Sequence, residues 1–156
     1  MPNILLTRID NRLVHGQVGN SWVGKVGCNL IVVADDEAAN DPIQQSLMKM
    51  TVGSVGIRFF SLQKTIDVIH KASPSQKIFI VVKTPAAART LLEGGVPIKE
   101  LCIGNMHVGP NKRVSNEPHV YVDDKDLEDL RAIRNAGVEV YIQIAPGDRR
   151  FDFEIK

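Results

Sequence analysis

Strand and helix signals alternate along the whole chain. The runs at 30–34 and 78–82 contain only apolar residues and are typical of strands buried on both faces of a sheet. Helix starts lie between such runs, where Asp41-Pro42 and Thr84-Pro85 each place a capping residue before a proline. This alternation indicates parallel strands joined by right-handed helical crossovers. We therefore predict an α/β fold over residues 1–156: a single doubly wound domain, with an open, mostly parallel sheet and helices on both faces.

The predicted elements follow one another along the chain. We expect strands at 4–6, 30–34, 55–60, 78–82, 101–103, 119–122 and 138–144, with helices beginning near His15, Pro42, Leu62, Pro85 and Asp124. The first helix presents Val14, Val18 and Trp22 on one face, and the second presents Ile43, Leu47 and Met50. We expect no apolar stripe to remain exposed once the sheet is covered. Residues 104–118 are predicted to form a long loop, and 146–156 a polar tail docked through Phe151 and Phe153.

Composition excludes several classes of protein. A chain of 156 residues, 44% hydrophobic and 24% charged, is ordinary for one soluble domain. The net charge of +1 gives no basic excess for nucleic acid, so no nucleic-acid partner is expected. Neither a secretory signal nor an apolar run of about 20 residues is recognisable, so a cytoplasmic protein is expected. Cys28 and Cys102 lie in apolar surroundings and are predicted to be buried free thiols.

The stretch 7–17, Thr-Arg-Ile-Asp-Asn-Arg-Leu-Val-His-Gly-Gln, contains the strongest candidate site. It connects the first strand to the first helix, and in an open parallel sheet that connection lies at the carboxyl edge, where ligands bind. His15 is expected at the start of the helix, where free N–H groups and the helix dipole favour an anion. We predict that His15 is a nucleophile toward phosphorus and that Asp10 holds one ring nitrogen and fixes the tautomer.

The neighbours of His15 strengthen the case for phosphoryl chemistry. Arg8 and Arg12 are predicted to bind phosphate oxygens in bidentate fashion, and Gly16 to let a phosphate approach the backbone. Because side chains alternate along an extended strand, Arg8 and Asp10 should point to the same side. In the 104–118 loop, Asn105 and Arg113 are candidate contacts that would close over the site. Two further loop residues, His107 and Lys112, share that stretch.

Cofactor and metal sites are not indicated. No Gly-x-Gly-x-x-Gly follows the first strand, so Asp35 and Asp36 do not suggest a dinucleotide site, and no P-loop sequence is present. Closely spaced Cys or His ligands for a metal are also missing from the sequence. His70 is expected on the surface and His119 in a structural role. We therefore expect no cofactor and no metal.

The sequence 8–17, Arg-Ile-Asp-Asn-Arg-Leu-Val-His-Gly-Gln, resembles the signature of IIB components of the mannose/fructose/sorbose/N-acetylgalactosamine family. These proteins belong to the bacterial phosphoenolpyruvate-dependent sugar phosphotransferase system (PTS). Further similarity lies at 31–38, 95–99 and 104–106, and the resemblance covers essentially the whole chain. Asn11 departs from the pattern, since the family often has a second aspartate there.

The resemblance implies a phosphocarrier, a protein-histidine–sugar phosphotransferase. A cytoplasmic IIA protein or domain, phosphorylated on histidine, would give its phosphoryl group to the IIB histidine, which matches His15. His15 would pass the group to a hexose or amino sugar entering through membrane IIC and IID subunits, with which the protein would associate peripherally. The residues do not specify the sugar.

Two other functions fit parts of the pattern. Histidine phosphatases also place a histidine and a glycine after the first strand, but they have an arginine immediately before the histidine, where this chain has Val14. A regulatory or ligand-binding α/β module could instead hold a small anion near Arg8, Arg12 and His15. A carrier should accumulate an acid-labile phosphohistidine, whereas a binding module should not.

Overall fold

The computed structural model describes residues 1–154, apart from the side chains of Gln17 and Val18. The predicted contact of Val18 therefore lies outside the described residues. The strands are β1 (Asn3–Asp10), β2 (Leu30–Ala34), β3 (Gly56–Phe60), β4 (Lys77–Val82), β5 (Glu100–Asn105), β6 (Arg113–Val114), β7 (Tyr121–Val122), β8 (Glu139–Ile142) and β9 (Phe151–Asp152). The α-helices are α1 (Gly16–Val26), α2 (Pro42–Val52), α3 (Leu62–Val68), α4 (Pro85–Glu93) and α5 (Asp124–Asn135), with short 3-10 turns at Ala38–Asn40 and Ile69–Lys71.

Seven strands form one sheet in the order β3-β2-β4-β1-β5-β8-β9. All neighbouring strands are parallel except β8 and β9, which are antiparallel. Strands β6 and β7 form a separate antiparallel pair. The mostly parallel α/β sheet is therefore confirmed. Because β4 is inserted between β2 and β1, the carboxyl ends of these three strands lie side by side.

Helices cover both faces of the sheet, as predicted. One face, which includes Ile9 and Val82, packs against α3, α4 and α5. The other face, which includes Val33 and Val81, packs against α1 and α2 through residues such as Trp22. The buried strand residues alternate between these two layers because successive side chains of a strand point to opposite faces.

The apolar face predicted for α2 is exposed, which contradicts the expectation that no apolar stripe would remain. Ile43, Leu47 and Met50 are 75%, 61% and 80% exposed. Met48 and Val52 of the same helix are buried instead. Both sets recur at helical spacing, so periodicity alone could not decide which one would face the sheet.

The segment 104–118 is more ordered than a loop. Strand β5 continues to Asn105, and β6 pairs with β7, which is shorter than the predicted strand at 119–122. Side chains tie this hairpin to the first turn of α5, since Lys112 donates to Asp126 and Arg113 donates to Asp124. In the tail, Phe153 is buried as predicted, but Phe151 lies in edge strand β9 and is exposed.

Candidate functional site

The site is built at the carboxyl end of β1, which is longer than predicted. The apolar run 4–6 is followed by buried polar residues that remain in the strand as far as Asp10. Leu13 adopts a left-handed conformation with φ of 59°, which is uncommon for a residue other than glycine. Its backbone N–H donates to Asp10 O at 2.8 Å. This tight turn returns the chain to His15 at the start of α1.

Asp10 holds both the turn and the histidine ring. Its Oδ2 lies 3.3 Å from His15 Nε2, and its Oδ1 accepts the backbone N–H of Arg12 at 3.0 Å. Asp10 is only 3% exposed. The side chain of His15 remains 25% exposed. The structure therefore gives His15 a buried carboxylate partner on one side of the ring and access to solvent elsewhere.

His15 is the N-cap residue of α1, as predicted for the start of the helix. Its carbonyl accepts the N–H of Gly19 at 2.9 Å, and the three earlier N–H groups have no acceptor within the helix. Gly16, the first helical residue, has φ of 50°, which glycine adopts without strain. The backbone beside His15 is thus open and offers donors to an anion.

An open cavity of about 550 Å³ lies in front of His15. Arg12, Gly16 and Lys83 line it on the polar side, and Leu47 and Met50 of α2 line it on the apolar side. Arg12 is exposed. The structure therefore brings Arg12 and Gly16 to the histidine, in agreement with their predicted placement.

Arg8 does not reach this cavity, which corrects its predicted role as a phosphate ligand. It is 3% exposed and donates to the carbonyl oxygens of Gln143 and Ile144 at 2.7 and 2.8 Å. It also donates to Cys102 Sγ at 3.1 Å and lies 4.2 Å from the centre of the Trp22 ring. Arg8 and Asp10 line the same small internal cavity, as expected for residues two apart on a strand.

Gly104 explains how a guanidinium fits inside the sheet. A Cβ atom at Gly104 would overlap the guanidinium of Arg8. The glycine of the 104–106 match therefore provides the space that Arg8 occupies. Cys102 beside it is a buried free thiol, as predicted. Burial raises the pKa of the Cys102 thiol, and the nearby positive charge of Arg8 lowers it by less.

The two predicted loop contacts behave differently. Asn105 reaches the motif, since its Nδ2 donates to Asn11 Oδ1 at 2.6 Å. Arg113 is not brought to the site, because it is exposed and pairs with Asp124 at the start of α5. A carboxylate at position 11 could accept the same bond from Asn105.

Lys83 had no predicted role, yet it lines the same cavity as His15. It follows β4, and Val82 at the end of β4 pairs with Ile9 of β1. The sequence shows only that Lys83 lies at the carboxyl edge of the sheet. Its position beside Asp10 depends on the insertion of β4 next to β1.

The other candidate groups have local structural roles. Asp35 accepts the N–H of Ala38, and Asp36 accepts the N–H of Leu62, so both cap turns at the sheet edge. His119 pairs with buried Glu117 through Nδ1 at 2.8 Å. Within residues 1–154, no group of three or more His, Cys, Asp or Glu side chains is placed to hold a metal ion. Over the same described part of the chain, none of the helices is long and apolar enough to cross a membrane.

The sequence of this chain is similar to that of a known protein family. Residues 4–155 match the family described as PTS system sorbose subfamily IIB component. The chain belongs to this family. This match confirms the IIB family predicted from the motif. It also confirms the predicted function, which is that of a phosphotransferase component of PTS sugar transport that accepts a phosphoryl group from IIA and passes it to sugar.

Several relatives of this IIB protein are specific for one amino sugar. This chain is 56% identical over 151 residues to the N-acetylgalactosamine-specific phosphotransferase enzyme IIB component 1 of Escherichia coli K12. The alignment covers 96% of this chain and 95% of the relative. The crystal structure of that component from Escherichia coli superimposes with a TM-score of 0.92 at 53% identity, covering 97% and 100% of the two chains. An N-acetylgalactosamine IIB component from Streptococcus pyogenes gives a TM-score of 0.90 at 45% identity, covering 97% and 95%.

Proposed function

We propose that His15 is the residue of this IIB protein that carries the phosphoryl group. The observation that supports this most directly is the His15–Asp10 pair at the mouth of an open cavity. A phosphocarrier must meet a donor and an acceptor in turn with the same atom, so the atom has to be accessible. The chain, residues 1–156, then acts as a single IIB domain.

The nitrogen that accepts the group follows from the position of Asp10. Its carboxylate faces Nε2, so Nε2 carries the proton and Nδ1 carries the free lone pair. Nδ1 attacks the phosphorus of the donor phosphohistidine in line, forming one N–P bond as the donor's N–P bond breaks. The departing donor imidazole keeps the bonding electron pair and takes up a proton from solvent, while His15 keeps its own proton on Nε2 beside Asp10. Asp10 stabilises the positive charge that develops on the His15 ring.

Two kinds of group around His15 would stabilise the transferred phosphoryl oxygens. The guanidinium of Arg12 provides a planar cation, and the N–H groups at the start of α1 provide neutral donors. Gly16 leaves the backbone open at the same point. Arg8 acts indirectly, because it ties β1 across β5 to the residues that follow β8 and thereby positions Asp10. The reaction as proposed requires no metal or nucleotide.

The exposed face of α2 is the proposed docking edge for the phosphorylated IIA donor. Leu47 and Met50 line the cavity that contains His15, and Ile43 continues the same exposed face. Exposed apolar patches of this kind mark surfaces that are covered by a partner. A donor histidine delivered to Nδ1 must come from a protein that covers the cavity mouth. The donor would therefore bury this face during transfer.

N-acetylgalactosamine is the proposed sugar, because several relatives are named for it. The sugar would receive the group while held by the membrane IIC and IID subunits, with which this protein would associate peripherally. A direct check is discharge of the phosphorylated protein by membranes that contain these subunits. N-acetylgalactosamine should discharge it faster than mannose does.

The decisive experiment measures intact mass after incubation with a phosphoenolpyruvate-driven relay and a cognate IIA. The wild-type protein should gain one phosphate that mild acid removes and that maps to His15. The His15→Ala variant should fold but gain none. Equal labelling of that variant would assign the site to another histidine. No labelling of wild type by phosphorylated IIA would favour an anion-binding module instead.

A further inference from the structure

Three charged residues stand in a row across the carboxyl edge of the sheet. Val33 pairs with Val81 in the β2–β4 register, so Asp35 and Lys83 are level two residues later. Ile9 pairs with Val82 in the β1–β4 register, so Asp10 and Lys83 are level one residue later. Adjacent strands lie about 5 Å apart. The row therefore runs from Asp35 through Lys83 to Asp10, whose carboxylate holds His15.

Lys83 points toward the side of the sheet that contains His15. Ile9 and Val82 belong to the core layer under α4 and α5, so the next residues on β1 and β4 point to the opposite face. That face is covered by α1 and α2. Lys83 accordingly lines the same cavity as His15 and Arg12.

The ammonium group of Lys83 is only loosely held. Its Nζ lies 3.9 Å from Asp35 Oδ2 and 3.7 Å from Glu37 Oε2, and both distances exceed the range of a hydrogen bond. The Lys83 side chain is 31% exposed and that of Glu37 is 80% exposed, so water screens this pair, whereas the Asp35 side chain is 13% exposed and its pair with Lys83 is weakened mainly by the longer distance. The flexible four-carbon stem lets the ammonium turn toward a stronger anion at little cost.

A phosphoryl group on His15 changes the charge of this region. Such a group carries a charge of about −1.5 to −2 near neutral pH, and it would lie close to the carboxylate of Asp10. Arg12 supplies one positive charge at the cavity. Arg8 cannot supply another, because its donors are already bound to main-chain carbonyls. Lys83 brings a second positive charge to the same cavity, and this charge would offset the added negative charge beside Asp10.

We propose that Lys83 is the second phosphoryl-binding cation of the site, released from Asp35 and Glu37 when the group arrives on His15. This inference rests on the proposed role of His15. In the unphosphorylated protein the two carboxylates neutralise Lys83. In the phosphorylated protein the ammonium binds a phosphoryl oxygen, Asp35 keeps its hydrogen bond from the Ala38 N–H, and Glu37 is left in water.

The test compares the equilibrium of phosphoryl exchange with phosphorylated IIA in matched variants. Lys83→Met removes the ammonium and keeps most of the stem. Lys99→Met makes the same charge change at an exposed position before β5, at the opposite edge of the sheet. Lys83→Met should shift the equilibrium away from phospho-His15 by about tenfold or more. It should also move the ³¹P resonance of the phosphoprotein, while Lys99→Met should change neither.

Glu37→Gln provides a second and independent variant. It removes a carboxylate that competes for Lys83, so phosphoryl acceptance should become severalfold more favourable. In the Lys83→Met background the same change should have little effect, because the competition no longer exists. Equal effects of Glu37→Gln in both backgrounds, or Lys83→Met behaving like Lys99→Met, would overturn the assignment of Lys83 alone. Failure of wild type to accept phosphate would overturn the role of His15 and, with it, that of Lys83.

Discussion

Replacing Arg8 by methionine tests whether this arginine is structural. In the native protein its guanidinium donates to the carbonyls of Gln143 and Ile144, which follow β8, and stacks on Trp22. Methionine fills much of the same space with apolar atoms but donates no hydrogen bond. Arg8→Met would therefore remove two charge-assisted hydrogen bonds close to the core, leaving Ile144 O with only the Trp22 Nε1 donor at 3.0 Å and Gln143 O with only the weak Cys102 thiol at 3.6 Å.

These contacts give the expected decrease in the free energy of unfolding. Each hydrogen bond lost from the charged guanidinium costs about 1.5–3 kcal/mol, and loss of the aromatic contact adds about 0.5–1 kcal/mol. Removing a buried charge offsets part of this cost. We expect a net destabilisation of about 3 kcal/mol, which lowers the melting temperature by about 6–12 °C for a domain of this size. In urea the midpoint should fall by about 1.5 M.

Arg12→Met is the matched control, since the same substitution is made at an exposed arginine of the motif. Its free energy of unfolding should change by less than about 0.5 kcal/mol, because the side chain is at the surface. Phosphoryl acceptance should instead slow by about tenfold or more. Arg12→Lys should slow transfer as well, because a single ammonium cannot reproduce the planar fork. Wild-type stability of Arg8→Met, combined with slow phosphoryl acceptance, would refute the structural role and restore Arg8 as a phosphate ligand.

Three further predictions concern other parts of the chain. Gly104→Ala should destabilise the protein by about 2 kcal/mol, because the new Cβ overlaps the Arg8 guanidinium. Urea unfolding should show a smaller cost of the same substitution in the Arg8→Met background, and an additive cost would contradict this contact. Leu47→Glu should raise the KM for phosphorylated IIA severalfold with an unchanged melting temperature, and an unchanged KM would remove α2 from the docking edge. The backbone N–H of Asp126 and the charge of Lys112 lower the pKa of Asp123, so the stability that its charge provides should be full above about pH 4 and lost as pH falls through the lowered pKa. Melting temperatures should therefore converge with those of Asp123→Asn on acidification, and a constant difference from pH 5 to pH 2 would argue against the shift.

Local signals were sufficient to predict the strand–helix order and the motif. Buried parallel strands are marked by uninterrupted apolar runs, and α2 and α4 begin at the predicted cap-and-proline pairs. His15 lies at the start of α1, as the change from strand to helix periodicity indicates. The pairing of His15 with Asp10 is also a local feature, since five residues separate them and one tight turn connects them.

Tertiary structure decided the roles of residues whose partners are distant in the chain. Arg8 donates hydrogen bonds to carbonyl oxygens that lie 135 and 136 residues away in the chain, so no local pattern could show that its charge is buried. The exposed face of α2 and the inward face of Met48 and Val52 share one periodicity, and packing against α1 and the sheet selects between them. Lys83 reaches the site only because β4 enters the sheet between β2 and β1. The sequence by itself determined the main strands and helices and the pairing of His15 with Asp10, because these features are encoded within a few residues. Strand order and burial determined which charged side chains line the cavity beside His15, because they depend on contacts across the whole sheet.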